Sequence, residues 1–178
     1  MEDLQILHDG HLTDLVQAIK ARMLPSRDDF RKFLGLEPIE LRIIVDYSLS
    51  LEAMIALGKY DWKNVGITAE RFPIKGNGKH ERTAQLIHFN RIISTDDTEK
   101  ELDKMGLRSG TIEELLAFGA TFPEMQRRFS IIALGSVAGI RGNRNVAFLG
   151  RDGSERDLDL RWPVSGWHED CRFLAFPK

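Results

Sequence analysis

Three groups of residues carry side chains that could bind a metal ion or catalyse a reaction. Asp157 and Asp159 lie two residues apart on a predicted strand and share one face, as in a metal or sugar site, but no third acidic or histidine ligand has an evident spacing with them. Cys171 follows His168 by three residues, yet nothing in the sequence orients this imidazole or lowers the pKa of the thiol. Residues 8–11 (HDGH) resemble a metal-ligand cluster without the further ligands that such a site needs. We therefore predict no catalytic residue, no cofactor and no bound metal.

The composition argues against several classes of partner. The 178 residues include 25 basic and 27 acidic side chains, and a formal net charge of -2 gives no overall field that attracts nucleic acid or an anionic membrane. Cys171 is the only cysteine, which favours a reducing compartment. The first residues lack the basic and apolar segments of a secretion signal, and no stretch approaches the roughly 18 apolar residues of a membrane helix. We expect a cytoplasmic protein with no nucleic-acid or membrane partner.

The first third of the chain is predicted to form a helical N-terminal region over residues 1–60. Apolar residues recur at helical spacing over residues 12–23, and a second capped segment follows at residues 27–34. The β-rich run LRIIVDY predicts a strand over residues 41–47, and Ser50 followed by LEAMIALG predicts a short helix.

The rest of the chain is predicted to consist of a connecting segment, residues 61–84, and a second domain, residues 85–178. The connecting segment is rich in Gly, Pro and aromatic residues and contains one short predicted strand, residues 72–75. In the second domain we predict strands at residues 85–93, 130–137, 146–149, 156–162 and 171–176, and helices at residues 95–105 and 112–118. Consecutive hairpins follow the two helices, so the pattern indicates an α+β fold with a small antiparallel sheet.

The two predicted helices of the second domain carry a resemblance to a known family. Gly106, Arg108, Thr111 and Glu114 follow one another as in the two-helix segment of the formylglycine-generating-enzyme branch of the C-type lectin fold. More narrowly, the order ELLAFG, ALGSV, two tryptophans and CRFLAF is similar to the variable proteins of diversity-generating retroelements. The resemblance implies a C-type-lectin-like domain over residues 85–178 that displays interchangeable ligand-binding residues near its C-terminus.

The composition of the second domain supports this resemblance. No lysine occurs between Lys104 and Lys178, whereas nine arginines do, and no glutamine or methionine follows Gln126. In the family that this chain resembles, variable codons arise by mutation at adenines, which can give Arg but not Lys, Gln, Met, Glu or Trp. Glu155 and Glu169 depart from that pattern and must be fixed positions or evidence against it. The paired cysteines that bind copper in the enzymes of this branch and the calcium motifs of sugar-binding lectins are absent, so neither activity is expected.

The alternating segment at residues 156–162 predicts which side chains form a binding surface. Leu158, Leu160 and Trp162 are expected on the core face, with Trp162 and Trp167 as core anchors, and the residues between them are expected to point outward. We predict one contact surface made by Arg141, Asn143, Arg144, Asn145, Phe148, Arg151, Asp152, Ser154, Asp157, Asp159, Arg161, Ser165, His168 and Asp170.

The sequence thus favours a non-catalytic ligand-binding protein whose partner is another protein, although the ligand itself is not identified. One alternative is a hydrolase or oxidase that uses the same C-terminal loops, which predicts a concave pocket with ionisable groups of perturbed pKa. Another is a helical adaptor that acts through residues 10–35.

Overall fold

Eight strands and four helices make up the part of the chain that the computed structural model describes, residues 41–140, 142–162 and 166–178. In chain order they are β1 (Leu41–Asp46), α1 (Leu51–Gly58), β2 (Trp62–Lys63), β3 (Lys79–Ile87), α2 (Thr95–Lys104), β4 (Leu107–Ser109), α3 (Ile112–Thr121), α4 (Pro123–Gln126), β5 (Ile131–Ile140), β6 (Asn143–Asp152), β7 (Glu155–Arg161) and β8 (Arg172–Pro177). They belong to one compact unit, Leu41–Lys178, so the expected boundaries at residues 60 and 84 fall inside it. The helices predicted before residue 35 lie outside the described residues.

All eight strands join a single mixed sheet with the order β1-β3-β8-β5-β6-β7-β2, and β4 adds to β8. The β5–β8 and β2–β7 pairs are parallel, and the other pairs are antiparallel. Strand β8 lies near the centre, and its FLAF segment is buried at every position, as is typical of a strand covered on both faces. The last strand of the chain is therefore the one that joins the first strands to the β5–β6–β7 meander.

This sheet shows that the expected C-type-lectin-like α+β fold, with a small antiparallel sheet and two helices, is wrong. The sheet has eight strands, two of its pairs are parallel, and four helices occur in the described residues. The hairpin signals after residue 130 identified β5, β6 and β7 but carried no information on where β8 inserts. The strand expected at residues 72–75 is also absent, and β3 begins at Lys79 and covers part of the segment interpreted as a connection.

The helices begin where the sequence predicts because short polar side chains satisfy their free backbone N–H groups. Ser50 accepts a hydrogen bond from the backbone N of Ala53 at 3.2 Å, and Ser94 accepts one from that of Asp97 at 3.1 Å. At α3 the buried Glu114 carboxylate accepts from the backbone N of Thr111 at 2.9 Å. These contacts confirm the predicted starts of α1, α2 and α3.

The residues that carried the family resemblance have a structural role here. The Arg108 guanidinium forms a two-pronged ion pair with Glu114, at 2.8 and 2.6 Å, and stacks on Phe176 of β8. Gly106 has φ +72°, a left-handed conformation that glycine adopts without strain. Together these residues fix β4 and α3 against the central strand.

Two hydrophobic layers cover the sheet. On one face α3 packs against β1, β5 and β6 and α1 packs against α3, with Leu115, Leu116, Leu149 and Leu158 in one buried cluster. On the other face Trp167 packs with Phe173, Ile93, Ile132, Leu134, Val146 and Cys171. This second layer is centred on β8, β5 and β6, and β7 and β2 contribute no residue to it.

Candidate functional site

The structure places the predicted contact residues at or near the surface but not in one patch. Arg141 and Ser165 lie outside the described residues. Arg144, Arg151, Asp152, Ser154, Arg161, His168 and Asp170 are exposed, and Asn143, Asn145, Phe148, Asp157 and Asp159 are half-buried. Seven of them fall in two candidate sites, and five belong to neither: Asn143, Asn145, Asp152, Ser154 and His168.

The first site is the face of β6, β7 and β2 that points away from α1 and α3, which we call the open face. Residues paired across neighbouring strands point to the same side, so Asp157 shares a row with Trp62, Asp159 with Phe148, and Arg161 with Val146. Consecutive rows are two residues apart, about 7 Å. We define the open face as Trp62, Arg144, Phe148, Asp157, Asp159 and Arg161.

Strand β2 holds Trp62 on this face through contacts made by its neighbours. The Asp61 carboxylate accepts a hydrogen bond from the backbone N of Arg156 at 2.7 Å, and the Asn64 side chain donates one to Asp159 at 2.6 Å. The Trp62 side chain itself is 47% exposed. An aromatic side chain on a fixed backbone, but free to contact a partner, is typical of a binding surface.

Unbalanced negative charge surrounds Asp157 at one end of the open face. Burial raises the pKa of this carboxyl, and the carboxylates of Asp152, Glu155, Asp159 and Asp61 raise it further. A cation bound here would remove part of this repulsion.

Replacing Asp157 with Asn is expected to raise the melting temperature at pH 7. A carboxyl whose pKa is raised on folding binds its proton more tightly in the native state, so its deprotonation costs stability as pH rises from the ordinary value of 3.8 through the native pKa. The gain should therefore be present at pH 7 and absent well below pH 3.8. Thermal unfolding of both proteins at several pH values measures it.

Glu70→Gln is the matched control for this substitution because it removes the same charge from an exposed side chain outside the cluster. It should leave the melting temperature unchanged. An equal gain from both variants would show that net charge, not the local repulsion at Asp157, is responsible.

The second site is a cavity of about 300 Å³ at one end of β8, β5 and β6, which we call the arginine pocket. Its lining is Arg128, Phe129, Ser130, Arg151, Asp170 and Arg172. The pairing of Ile131 with both Leu149 and Arg172 brings the start of β5 and β8 beside the end of β6. Arg151 and Asp170 are predicted contact residues, so this part of the predicted surface lies here and not on the open face.

Other residues differ from their predicted positions or were not predicted. Trp167 is fully buried, as expected, but Trp162 is 49% exposed and is not a core anchor, because β7 ends at Arg161. Leu158 is buried and Leu160 only half-buried. Burial raises the pKa of the Cys171 thiol, which makes it a poor nucleophile.

Trp62, Arg128, Phe129 and Arg172 were missed as contact residues. The one sequence signal available for the arginines was the excess of arginine over lysine after Lys104, which does not tell where they converge.

The comparisons with known proteins do not identify a relative. The chain matches no protein-family model, no curated protein and no solved structure. Among the described residues no three His, Cys, Asp or Glu side chains are grouped so that they could hold a metal ion. None of the described helices is both long enough and apolar enough to cross a membrane.

Proposed function

We propose that the chain is a non-catalytic recognition protein that binds another protein through the open face. The observation that carries the proposal is the row formed by Trp62 and Asp157, an exposed aromatic ring beside a carboxylate in unbalanced negative surroundings. Such a row suits a partner that places a basic side chain against the ring and the carboxylate. A cytoplasmic location belongs to the proposal, and the free, buried Cys171 suits a reducing compartment.

The architecture of the face supports a role in recognition. Asp159 and Arg161 point away from the layer of Leu149 and Leu158, so their side chains can be exchanged without opening the helix-side core. Phe148 points the same way but packs against the second layer, and we do not expect it to be exchangeable. Surface substitutions usually change stability by no more than about 0.5 kcal/mol. The chain also resembles the variable proteins of diversity-generating retroelements. We therefore propose that these exchangeable positions of the mixed sheet differ between copies of the gene.

The proposal predicts that Trp62→Ala weakens partner binding by roughly 30-fold, about 2 kcal/mol, as expected for a tryptophan at the centre of an interface. A photo-crosslinking amino acid at position 62 of the full chain, expressed in its source cells, should first capture a defined partner. Titration calorimetry with that purified partner then compares the wild type, Trp62→Ala and Asp157→Asn. Asp157→Asn should weaken binding by about tenfold because it removes the carboxylate opposite the basic group.

Leu57→Ala is the matched control, because Leu57 is a 59% exposed apolar side chain on α1, outside the open face. It should bind as the wild type does. If Leu57→Ala weakens binding as much as Trp62→Ala, or if neither open-face variant weakens it, the face is not the site. A second experiment tests the proposed variability by sequencing the 3′ end of the gene across its source population. If the codons of the open face do not vary, the chain is not a variable protein.

A further inference from the structure

The arginine pocket holds more positive charge than its own residues neutralise. Arg128, Arg151 and Arg172 face one carboxylate, that of Asp170, and none of the three forms an ion pair with a described carboxylate. Asp170 contacts Nδ1 of His168 at 3.0 Å instead. With every guanidinium charged and Asp170 ionised, the lining carries a surplus of about two positive charges.

The guanidinium of Arg172 is fixed in place before any ligand arrives. It stacks on Phe129, with Cζ 4.5 Å from the ring centroid, and donates hydrogen bonds to the carbonyl oxygens of Asp170 at 2.9 Å and Cys171 at 3.2 Å. Both bonds use the same terminal nitrogen, which leaves the other terminal nitrogen and Nε to donate elsewhere. Partial burial lowers the pKa of this guanidinium, so an anion bound beside it would replace lost hydration.

The other two arginines leave most of their donors unused. The Arg128 guanidinium lies over the same Phe129 ring, 5.3 Å from its centroid, and makes no hydrogen bond to a described residue. The Arg151 guanidinium makes a single hydrogen bond of 3.4 Å, to the carbonyl oxygen of Gly153. Three guanidinium groups around one cavity offer several of the paired N–H groups that bind oxyanions in two-pronged fashion.

We infer that the arginine pocket binds the phosphate group of a small organic phosphate monoester. A phosphate monoester carries a charge of about −1.5 to −2 at pH 7, which matches the surplus of the lining better than a single carboxylate does. A volume of about 300 Å³ lies at the lower end of small-molecule sites and leaves room for an organic part beside Phe129. This site does not include the open face, so it is independent of the proposed partner binding.

Titration calorimetry of the full chain with phenyl phosphate tests the inference, with benzoate and inorganic phosphate as comparison probes. Phenyl phosphate should bind more tightly than either, and its affinity should rise between pH 5 and pH 7.5 as the second phosphate proton, with a pKa of about 6, is lost. Arg128→Gln and Arg151→Gln should each weaken binding by about tenfold or more. Both side chains are exposed, so neither substitution should affect folding.

Arg91→Gln is the matched control, since Arg91 is exposed and belongs neither to the pocket nor to the open face. It should change the affinity for phenyl phosphate by less than about twofold. No binding of phenyl phosphate, or an equal loss in all three variants, would overturn the site. Equal affinity for benzoate would overturn the assignment to phosphate, and equal affinity for inorganic phosphate would overturn the assignment to an organic ester.

Discussion

Replacing Trp167 with Ala is expected to lower the free energy of unfolding by about 4 kcal/mol, which corresponds to a drop in melting temperature of roughly 10 °C. Trp167 is fully buried, and its indole N–H donates a hydrogen bond to the Thr95 hydroxyl at 3.0 Å. Its ring meets Phe173 edge to face at 6.1 Å, and its backbone forms a bridge with Ile93. Loss of the ring leaves a cavity in the layer that covers β8, and denaturant unfolding measures the cost.

Trp162→Ala is the control for this experiment because the same side chain is lost from a position that is 49% exposed. We expect a change of less than about 1 kcal/mol. If both substitutions destabilised the protein equally, Trp162 would be a core residue, as the sequence pattern predicted.

The two tryptophans show how far the sequence determines this fold. Periodicity placed Leu158 and Trp162 on one face because every second residue of a strand points the same way. The structure follows the pattern at Leu158, which is buried. At Trp162 the structure departs from the pattern, because β7 ends one residue earlier, at Arg161. Alternation of polar and apolar residues does not show where a strand ends.

Local signals predicted the helices better than the sheet. Ser50, Ser94 and Glu114 make their capping contacts within three residues along the chain, so the sequence alone contains what is needed to find them. The parallel pairing of β5 with β8 joins Ile131 to Arg172, about forty residues away, and no local pattern specifies such a pair. The predicted small antiparallel sheet was wrong for this reason.

The same distinction between local and distant contacts applies to the candidate sites. Asp157, Asp159 and Arg161 alternate along one strand, and the sequence could predict that they share a face. The arginine pocket joins Arg128, from the loop before β5, to the ends of two other strands, so it exists only once those strands are side by side. Residue types could indicate that arginines matter in this half of the chain, but not which of them converge.

Arg156→Met is expected to destabilise the protein by about 3 kcal/mol. Arg156 is 5% exposed, and its guanidinium has no carboxylate partner among the described residues. It donates to the carbonyl oxygens of Gly58 and Gly119 and to the Gln126 side chain, at 2.7, 2.8 and 2.9 Å. It therefore ties α1, α3 and α4 to β7, and methionine would fill the space but leave three buried acceptors without a donor.

The aromatic neighbour of Arg156 explains why this arrangement needs small residues around it. Arg156 lies 5.2 Å from the ring centroid of Tyr60, and a Cβ atom at either Gly58 or Gly119 would come within 2.3 Å of the Tyr60 side chain. The same two glycines thus supply the acceptors for the guanidinium and the space for the ring. Arg156 alternates in phase with Leu158 along β7, so the sequence could predict that its side chain points inward. It could not predict which groups the side chain contacts.

Arg161→Met is the control, because it removes the same charge from an exposed position on the same strand. Its guanidinium lies over the Trp167 ring, 5.9 Å from the ring centroid, and otherwise faces solvent, so we expect a change of less than about 1 kcal/mol. Thermal and denaturant unfolding of both variants decide between a local effect of Arg156 and a general effect of charge. If Arg156→Met were as stable as Arg161→Met, the hydrogen bonds of the buried guanidinium would only offset its desolvation, and helix packing alone would hold α1, α3 and α4 on the sheet.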